Sequence, residues 1–415
     1  MRVIIAGGGI GGLVLALSLH EAGIACEVHE QVAEIRPLGV GINVLPHAMR
    51  ELTELGLLER VLAAGVATRE LVYANRFGQM IWSEPRGLAA GYAWPQVSIH
   101  RGRLHMLLLE AARERLGDGC IHLGARLSGF EQDASGVTAR FEDGGRARGD
   151  VLVAADGIHS TVRGLFHPGE GPPIWNGAVL WRATSIAEPF LTGATMAQIG
   201  TRDVKFVVYP IASLPDGRML TNWIAERRLD PSQPWKREDW NRPGRIEDFL
   251  PAFADWRFPW LDVPGLIRTA EAVFEFPMVD RDPLPRWTHG RVTLLGDAAH
   301  PLYPIGSNGA SQGILDARTL AFKLATIADP AAALDAYEAI RRPATAALLE
   351  ATRGDGPDVV LDIAAARAPE GFEDIEAVMP LAEREEIAMR YKRLAGFEPA
   401  TLNARPSLSP PRRAA

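Results

Sequence analysis

Three glycine-containing motifs could together hold a large anionic cofactor. They are Gly7-x-Gly9-x-x-Gly12, Asp156-Gly157 and Gly296-Asp297. Each one follows a short aliphatic run that predicts a buried parallel strand. Ligands of doubly wound sheets bind in the crevice at the carboxyl ends of the strands. We therefore expect the three motifs to meet at one crevice.

The first motif has the full context of a dinucleotide-binding turn, because it follows a strand, opens a helix and precedes a second strand. Gly7 permits the tight turn, and Gly9 lets a pyrophosphate approach the backbone amides at the helix N-terminus. Gly12 permits close packing of helix and strand. Glu30 ends the second strand, where its carboxylate can accept a hydrogen bond from a ribose hydroxyl. The motif alone does not separate FAD from NAD.

A further glycine loop follows the third motif. The segment from Pro301 to Ala310 contains Gly306 and Gly309 and leads into a predicted helix. Backbone amides at such a helix start suit an anion or a reduced ring. Taken singly, each acid–glycine pair is equally well read as a turn or as a helix cap.

The elements that must position these motifs are of two kinds. Parallel strand–helix material occurs near both ends and in the middle, whereas short strands rich in Trp and Tyr are inserted at 70–98 and 176–270. Helices are predicted at 13–22, 45–64, 101–116, 311–327, 331–367 and 376–394. The Pro- and Arg-rich tail from 402 is expected to be frayed.

This order predicts a mixed α/β fold. A Rossmann-like domain is interleaved with an antiparallel β-sheet substrate domain and followed by C-terminal helices. The predicted boundaries are 1–70, 99–175 and 271–365 for the Rossmann-like domain, 71–98 and 176–270 for the substrate domain, and 366–415 for the C-terminal helix and tail.

Composition excludes several classes of protein. Glycine supplies 41 of 415 residues, and the net charge is −7, which disfavours non-specific nucleic-acid binding. The two cysteines, Cys26 and Cys120, exclude a disulfide scaffold and a cysteine-based zinc site, and we expect no metal and a cytoplasmic location. The uncharged run 3–19 contains five glycines, so we expect neither a targeting segment nor a membrane span.

Taken together, the motifs resemble those of the class A flavoprotein monooxygenases, the para-hydroxybenzoate hydroxylase type. Arg101 in His100-Arg101-Gly102 matches the arginine of that family that binds FAD. Within the family, the phenazine-modifying hydroxylases are most similar, over the stretches 34–43, 82–87, 98–102 and 277–285. The resemblance assigns to FAD the residues Gly7, Gly9, Ile10, Gly11, Gly12, Glu30, Arg36, Gly39, Gly41, Arg101, Asp156, Gly157, Gly296, Asp297, Gly309 and Ala310.

The resemblance also implies an activity. FAD would accept hydride from NADH or NADPH and then react with O₂ to form a C4a-hydroperoxide. This species would hydroxylate an aromatic or N-heteroaromatic, phenazine-like ring. Where the attacked carbon bears a carboxylate, decarboxylation would follow. Backbone groups of the flavin-edge loop would serve catalysis, at Pro301, Gly306, Asn308 and Gly309. The alternatives are a Baeyer–Villiger or epoxidising oxygenase, a non-oxygenating flavin oxidoreductase, and an FAD-loaded sensor without turnover.

The residues around the substrate are predicted from the inserted sheet that should cover the flavin. The candidates are Trp181, Val207, Tyr209, Trp223, Met278 and Tyr303. Arg182 could pair with a substrate carboxylate. None of His100, His159 and His300 is identified as a general base, and an electron-rich ring would need none. The expected partners are the small aromatic substrate, O₂ and NAD(P)H, in a monomer or homodimer.

Overall fold

A computed structural model describes residues 1–230, 242–354 and 356–412. In chain order, the strands are β1 (Arg2–Ala6), β2 (Ala25–Glu30), β3 (Gly41–Val44), β4 (Gly65–Thr68), β5 (Glu70–Ala74), β6 (Met80–Pro85), β7 (Gln96–His100), β8 (Ile121–Leu123), β9 (Leu127–Asp133), β10 (Gly136–Phe141), β11 (Arg146–Gly149), β12 (Val151–Ala154), β13 (Ile174–Ala187), β14 (Thr195–Gly200), β15 (Val204–Ser213), β16 (Met219–Arg228), β17 (Arg257–Phe258), β18 (Leu261–Asp262), β19 (Val273–Asp280) and β20 (Val292–Leu294).

The helices alternate with these strands in the first part of the chain and cluster at its end. They are α1 (Ile10–Glu21), α2 (Pro46–Glu54), α3 (Leu58–Ala64), α4 (Arg101–Leu116), α5 (Thr161–Phe166), α6 (Ile246–Phe249), α7 (Val263–Arg268), α8 (Gly309–Thr326), α9 (Pro330–Arg353), α10 (Val359–Arg367), α11 (Ile375–Val378), α12 (Leu381–Leu394) and α13 (Pro399–Ala404). No helix among the described residues is long and apolar enough to cross a membrane.

A parallel sheet in the order β20-β12-β1-β2-β8 forms the centre of the cofactor-binding part. Its central strands are buried on both faces, as in Val3–Ala6 and Val151–Ala154, because helices α1, α4 and α8 and the small β9-β10-β11 sheet share one core with them. Parallel strands covered on both faces read as continuous aliphatic runs, which is why sequence reasoning could find them.

A seven-stranded sheet in the order β19-β13-β16-β15-β14-β5-β6 forms the second part. It is antiparallel except between β14 and β5. One face carries an aromatic core that includes Trp181, Trp223 and Phe206, and Phe249 and Phe253 from the segment beyond β16 cover it. The predicted mixed α/β class, with Rossmann-like and antiparallel parts and C-terminal helices, is confirmed.

The predicted helix over 45–64 is two helices. Gly56 adopts a φ of +70°, and the amides of Gly56 and Leu57 donate back to Thr53 and Leu52. This is the hydrogen-bonding pattern that closes a helix at a left-handed glycine. The chain therefore leaves α2 and starts α3 in a new direction.

The expectation of a frayed tail is wrong for the described residues of the tail, which end at 412. Beyond α13, Arg405 forms an ion pair with Glu51, which is fully buried in α2. Ser407 donates to Glu54 at 2.8 Å, and Arg318 of α8 donates to Ser409 at 2.8 Å. The tail thus adds partners to charges at the α2–α8 contact, where Arg318 also pairs with Glu51.

Replacing Arg405 with Ala should lower the free energy of unfolding by about 2 kcal/mol, because Glu51 then loses one of its two buried cations. Urea unfolding monitored by circular dichroism measures this change. The control is Arg113→Ala, which breaks an exposed pair with Asp118 and should cost less than about 1 kcal/mol. Equal losses in the two variants would mean that the tail does not stabilise the fold through Glu51.

Candidate functional site

The three motifs meet at the carboxyl edge of the parallel sheet, as expected. The Ala155 amide donates to Ala6 at 2.7 Å, and the Leu295 amide donates to Ala154 at 2.8 Å. Gly7 has a φ of +111°, and a Cβ there would overlap the Ala155 carbonyl. The ends of β1, β12 and β20 therefore form one continuous wall of a crevice.

The glycine turn after β1 is shaped to admit a ligand at one point only. A Cβ at Gly12 would overlap the Gly7 carbonyl, and one at Gly11 would lie 2.8 Å from a Leu295 methyl. A Cβ at Gly9, by contrast, would meet nothing within 4 Å. Gly9 also precedes α1 without a side-chain cap, so the amides of this helix start face open space. Such amides bind phosphate oxygens.

Glu30 stands beside this turn. Its carboxylate accepts from the amides of Gly8 at 2.7 Å and Val32 at 3.0 Å, and His105 hydrogen-bonds the Gly8 carbonyl at 2.6 Å. These contacts fix the carboxylate at the crevice. Arg101 is exposed at the first position of α4, immediately after β7.

The Asp-Gly motif contributes an acid with an unused oxygen. Asp156 Oδ2 accepts from the Thr161 amide at 2.8 Å, whereas the buried Oδ1 has no hydrogen-bond partner. Burial raises the pKa of this carboxyl above its usual range, against the hydrogen bonds that it accepts. Gly157 follows with a φ of +80° and empty space where a Cβ would be. An orphaned oxygen beside open backbone fits a hydroxyl-bearing ligand.

Arg163, in the same motif, ties it to the Gly-Asp motif. The guanidinium is 1% exposed and donates to the carbonyls of Ala298 at 3.1 Å and Ala299 at 2.8 Å. It also pairs with Glu170. Although Arg163 stands in the stretch that signals the motif, sequence reasoning gave it no role. Here it fixes the spacing of two walls of the crevice.

The Gly-Asp motif depends on Asp316 of α8. This fully buried carboxylate accepts from the Gly296 amide at 3.0 Å, His300 Nε2 at 2.5 Å and Arg341 Nε at 2.7 Å. Burial alone would raise its pKa, but the charges of His300 and Arg341 outweigh that effect and lower it to about 2. Asp297 itself has an exposed side chain at the crevice. The protein around its carboxyl still displaces water, and this desolvation raises its pKa against the charges of His300 and Arg101.

A polar network continues from Asp316 to the flavin-edge loop. Arg341 donates to Gln312 at 2.5 Å, and Gln312 approaches Asn308 at 3.3 Å. Asn308 in turn donates to the Tyr391 hydroxyl at 2.6 Å. Sequence reasoning missed Asp316, Gln312 and Tyr391. For Gln312 and Asp316, the available signal was an amide and an acid four residues apart on one face of the predicted helix 311–327.

The loop from Pro301 to Ala310 presents backbone amides to the crevice. Gly306 has a φ of +70° and sits against the Tyr391 hydroxyl, where a Cβ would overlap. Ser307 has a φ of +59°, which is costly for a residue other than glycine and occurs mostly where surrounding contacts enforce it. Helix α8 then starts at Gly309, whose Cβ position is open, with no side-chain cap. Uncapped amides here can stabilise negative charge.

The glycine loop before β3 has one exposed end and one end that is held by hydrogen bonds. Arg36 is exposed and pairs with Glu34, and Gly39 is exposed with a φ of +99°. Gly41 is held instead: its amide donates to Asn222 at 2.7 Å, and its carbonyl accepts from the Tyr209 hydroxyl at 2.9 Å. These contacts join β3, which lies in a small β3-β7-β4 sheet, to the seven-stranded sheet.

The six substrate candidates do not share one surface. Met278 and Tyr303 belong to one apolar cluster, and Val207 and Tyr209 to another on the same face of the seven-stranded sheet. Trp181 and Trp223 point to the opposite face, where Trp181 stacks on Phe249 at 5.0 Å. That position corrects the expectation for these two tryptophans, because the alternation of a strand sends neighbouring side chains to opposite faces.

The crevice as a whole fits FAD. It offers open helix-start amides at Gly9 and Gly309, carboxylates at Glu30 and Asp297, and the unpartnered oxygen of Asp156. These are donors for phosphates and acceptors for ribose and ribityl hydroxyls. No residue assigned to FAD lies outside the described part of the chain.

Comparison with known proteins agrees with this reading. The profile of the "FAD binding domain" family matches residues 1–225 and 276–352. The chain is 47% identical to phenazine 1,6-dicarboxylic acid hydroxylase PhzS of Lysobacter antibioticus, over 85% of this chain and 89% of that protein. It is 32% identical to 3-hydroxybenzoate 6-hydroxylase 1 of Aquipseudomonas alcaligenes, over 83% and 86%. The crystal structure of Klebsiella pneumoniae HpxO with FAD and uric acid superposes with a TM-score of 0.75 at 27% identity, over 99% and 97%.

Replacing Gly9 with Ala should leave the fold intact and weaken FAD binding on the order of 100-fold, because the methyl group fills space that the phosphates need. Flavin fluorescence titration of the apoprotein measures the affinity, and thermal unfolding measures the fold. Gly119→Ala is the matched control, since a Cβ there also meets nothing within 4 Å. Unchanged FAD affinity in the Gly9 variant would contradict this placement of the phosphates.

From the low pKa of Asp316 we predict how the stability of the fold changes with pH. The ionised carboxylate should stabilise the fold above about pH 4, its usual titration range, and this contribution should be lost as the pH falls towards 2. Between these values, wild type should therefore lose about 2 kcal/mol more of its free energy of unfolding than Asp316→Asn does. Urea unfolding across this range tests it, and parallel losses in the two proteins would refute it.

Proposed function

Because the chain belongs to the FAD binding domain family and is an FAD-dependent aromatic monooxygenase, we propose that it hydroxylates an N-heteroaromatic carboxylic acid of the phenazine type, with NADH or NADPH and O₂ as co-substrates. We further propose that it works in the cytoplasm, as a monomer or homodimer. The observation that carries the choice of substrate is the environment of Arg182.

Arg182 is a half-buried cation without an anionic partner among the described residues. Its terminal nitrogen donates to the Gly41 carbonyl at 3.1 Å, and its buried Nε has no hydrogen-bond partner. No ion pair of Arg182 is found in the described part of the chain. Burial lowers its pKa, with Arg101 acting in the same direction and Tyr209 opposing. Since an unpaired buried charge is costly, a substrate carboxylate would supply the missing counter-ion.

The surroundings of Arg182 suit an aromatic ring. Its guanidinium lies 5.7 Å from the centroid of Phe276, and Phe276 packs in one apolar cluster with Met278, Tyr303 and Leu180. This cluster lies on the face of the sheet that also carries the contact with Gly41. A flat apolar ring with one carboxylate matches a wall that is mostly apolar and has one cation.

Bound FAD supplies hydride acceptance from NAD(P)H and the activation of O₂ for transfer to an aromatic carbon. The residues of this chain would orient the ring, exclude water and hold charge. The helix-start amides at Gly309 and Ala310 would stabilise negative charge at the flavin edge. Burial raises the pKa of Tyr209 to about 12 despite Arg182, so its hydroxyl stays protonated at neutral pH and donates rather than acting as a base.

A substrate screen tests the proposal directly. Purified enzyme with FAD is given phenazine, quinoline and pyridine carboxylic acids, and NAD(P)H consumption is followed with mass spectrometry of the products. We expect consumption to be stimulated most by fused-ring acids, with a mass gain of about 16, or a loss of about 28 where the carboxylate leaves. Consumption without an oxygenated product would favour a non-oxygenating oxidoreductase, and no stimulated consumption would favour a sensor.

Changing Arg182 tests the recognition of the carboxylate. Arg182→Gln should raise KM for the acid about 30-fold or more, because a charge-assisted hydrogen bond is lost, while the parent ring without a carboxylate should be affected little. Arg182→Lys should recover part of the affinity, since it restores the charge without the fork geometry. An equal loss with both substrates would show that Arg182 does not recognise the carboxylate.

A further inference from the structure

We propose that Glu27, His29 and His122 form a binding site for a divalent transition metal ion of the zinc class, separate from the FAD crevice. The site lies on β2 and its neighbour β8, the edge strand of the parallel sheet. The donor atoms of the three side chains lie within 4.8 Å of one another.

The strand register brings the three side chains together. Glu27 and His29 are two residues apart on β2, so they project from the same face. His122 pairs directly with His29 across the parallel ladder. The backbone therefore presents two imidazoles and one carboxylate side by side, and this juxtaposition does not depend on a flexible loop.

The separations suit one small ion. Glu27 Oε1 lies 3.5 Å from His29 Nε2, and Glu27 Oε2 lies 3.7 Å from His122 Nε2. Ligand atoms about 2.1 Å from a tetrahedral zinc ion lie roughly 3.4 Å apart. Closing on one metal ion requires a single carboxylate oxygen to face both imidazoles and the stacked, exposed ring of His122 to turn, and it leaves one coordination position for water.

Several buried polar atoms of the cluster lack a hydrogen bond within the described chain, although Glu27 Oε1 and His29 Nε2 lie within ion-pair distance of each other. Glu27 and His29 are each 7% exposed, yet Glu27 Oε1 and both ring nitrogens of His29 lack a hydrogen bond. Arg2 donates to Glu27 Oε2 at 2.6 Å and orients the carboxylate, so Oε1 is the oxygen without a hydrogen bond. Buried polar atoms are normally satisfied, and a metal ion would satisfy Nε2 and Oε1 together.

Packing alone does not account for the cluster. His29 stacks between Phe141 at 4.3 Å and His122 at 4.6 Å. Stacking explains the orientation of the rings, but it does not explain why two histidines and a carboxylate with potential metal-ligand atoms lie side by side. The chemistry of the donor set favours Zn²⁺, Co²⁺ or Ni²⁺ over Mg²⁺ and Ca²⁺, which prefer oxygen ligands. His122 is partly exposed, so an ion can enter from solvent.

Metal uptake by the tag-free, chelator-treated holoenzyme tests the proposal. Equilibrium dialysis against Zn²⁺ should give one saturable equivalent per chain, and Co²⁺ should bind with an absorption spectrum typical of nitrogen and oxygen ligands. His122→Ala should weaken Zn²⁺ binding more than about tenfold, because it removes one of three protein ligands. Because the removed side chain is at the sheet edge, this variant should retain its fold and its FAD, which circular dichroism and flavin absorbance check.

Two control variants distinguish metal binding at this site from binding by other side chains. His20→Ala removes an exposed histidine at the end of α1, and Cys120→Ser removes a nearby thiol; both variants should bind Zn²⁺ as wild type does. Absence of saturable binding, undiminished binding in His122→Ala, or an equal loss in either control would overturn the proposal. Glu27→Gln should also weaken binding, and binding unchanged in that variant would exclude the carboxylate as a ligand.

Discussion

The buried carboxylate of Asp316 is the interaction on which the crevice depends. It accepts hydrogen bonds from a backbone amide and an imidazole of one turn after β20, at Gly296 and His300, and from the guanidinium of Arg341 in α9. An ionised carboxylate without such partners would be expelled or protonated. The partners therefore fix the Gly-Asp motif and α8 relative to each other, and with them the flavin-edge loop.

Besides Arg341, a second buried cation, Arg163, fixes the walls of the crevice. Arg163 binds the carbonyls of Ala298 and Ala299 and holds the Asp-Gly motif against the Gly-Asp motif. The glycines of the crevice have two different roles. Gly7 and Gly12 are required by close contacts within the protein, whereas Gly9 and Gly309 leave open space. Only the second kind makes room for a ligand, and the spacing of the first motif predicts these different roles for Gly7, Gly9 and Gly12.

Sequence reasoning found the parts of the fold that repeat simple patterns. The parallel strands are continuous aliphatic runs, and helix α4 begins and ends where its pattern does, at Arg101 and Leu116. Sequence reasoning failed where contacts between residues far apart in the chain determine the local structure. The tail from 402 reads as disordered because the charges it pairs with, at Glu51 and Glu54, lie some 350 residues away. The orientation of Trp181 was missed because an aromatic in a strand has no sequence mark for the face it occupies.

The most direct test of the claim that Asp316 arranges the cofactor crevice compares the FAD affinities of two variants. One is Asp316→Asn, and the other is Val137→Ala, a core variant in the β9-β10-β11 sheet. Both variants should be less stable than wild type, but only Asp316→Asn should bind FAD more weakly, by about tenfold or more, because it alone loosens the Gly-Asp wall. Equal FAD affinities in the two variants would show that the Asp316 network stabilises the fold without arranging the cofactor crevice.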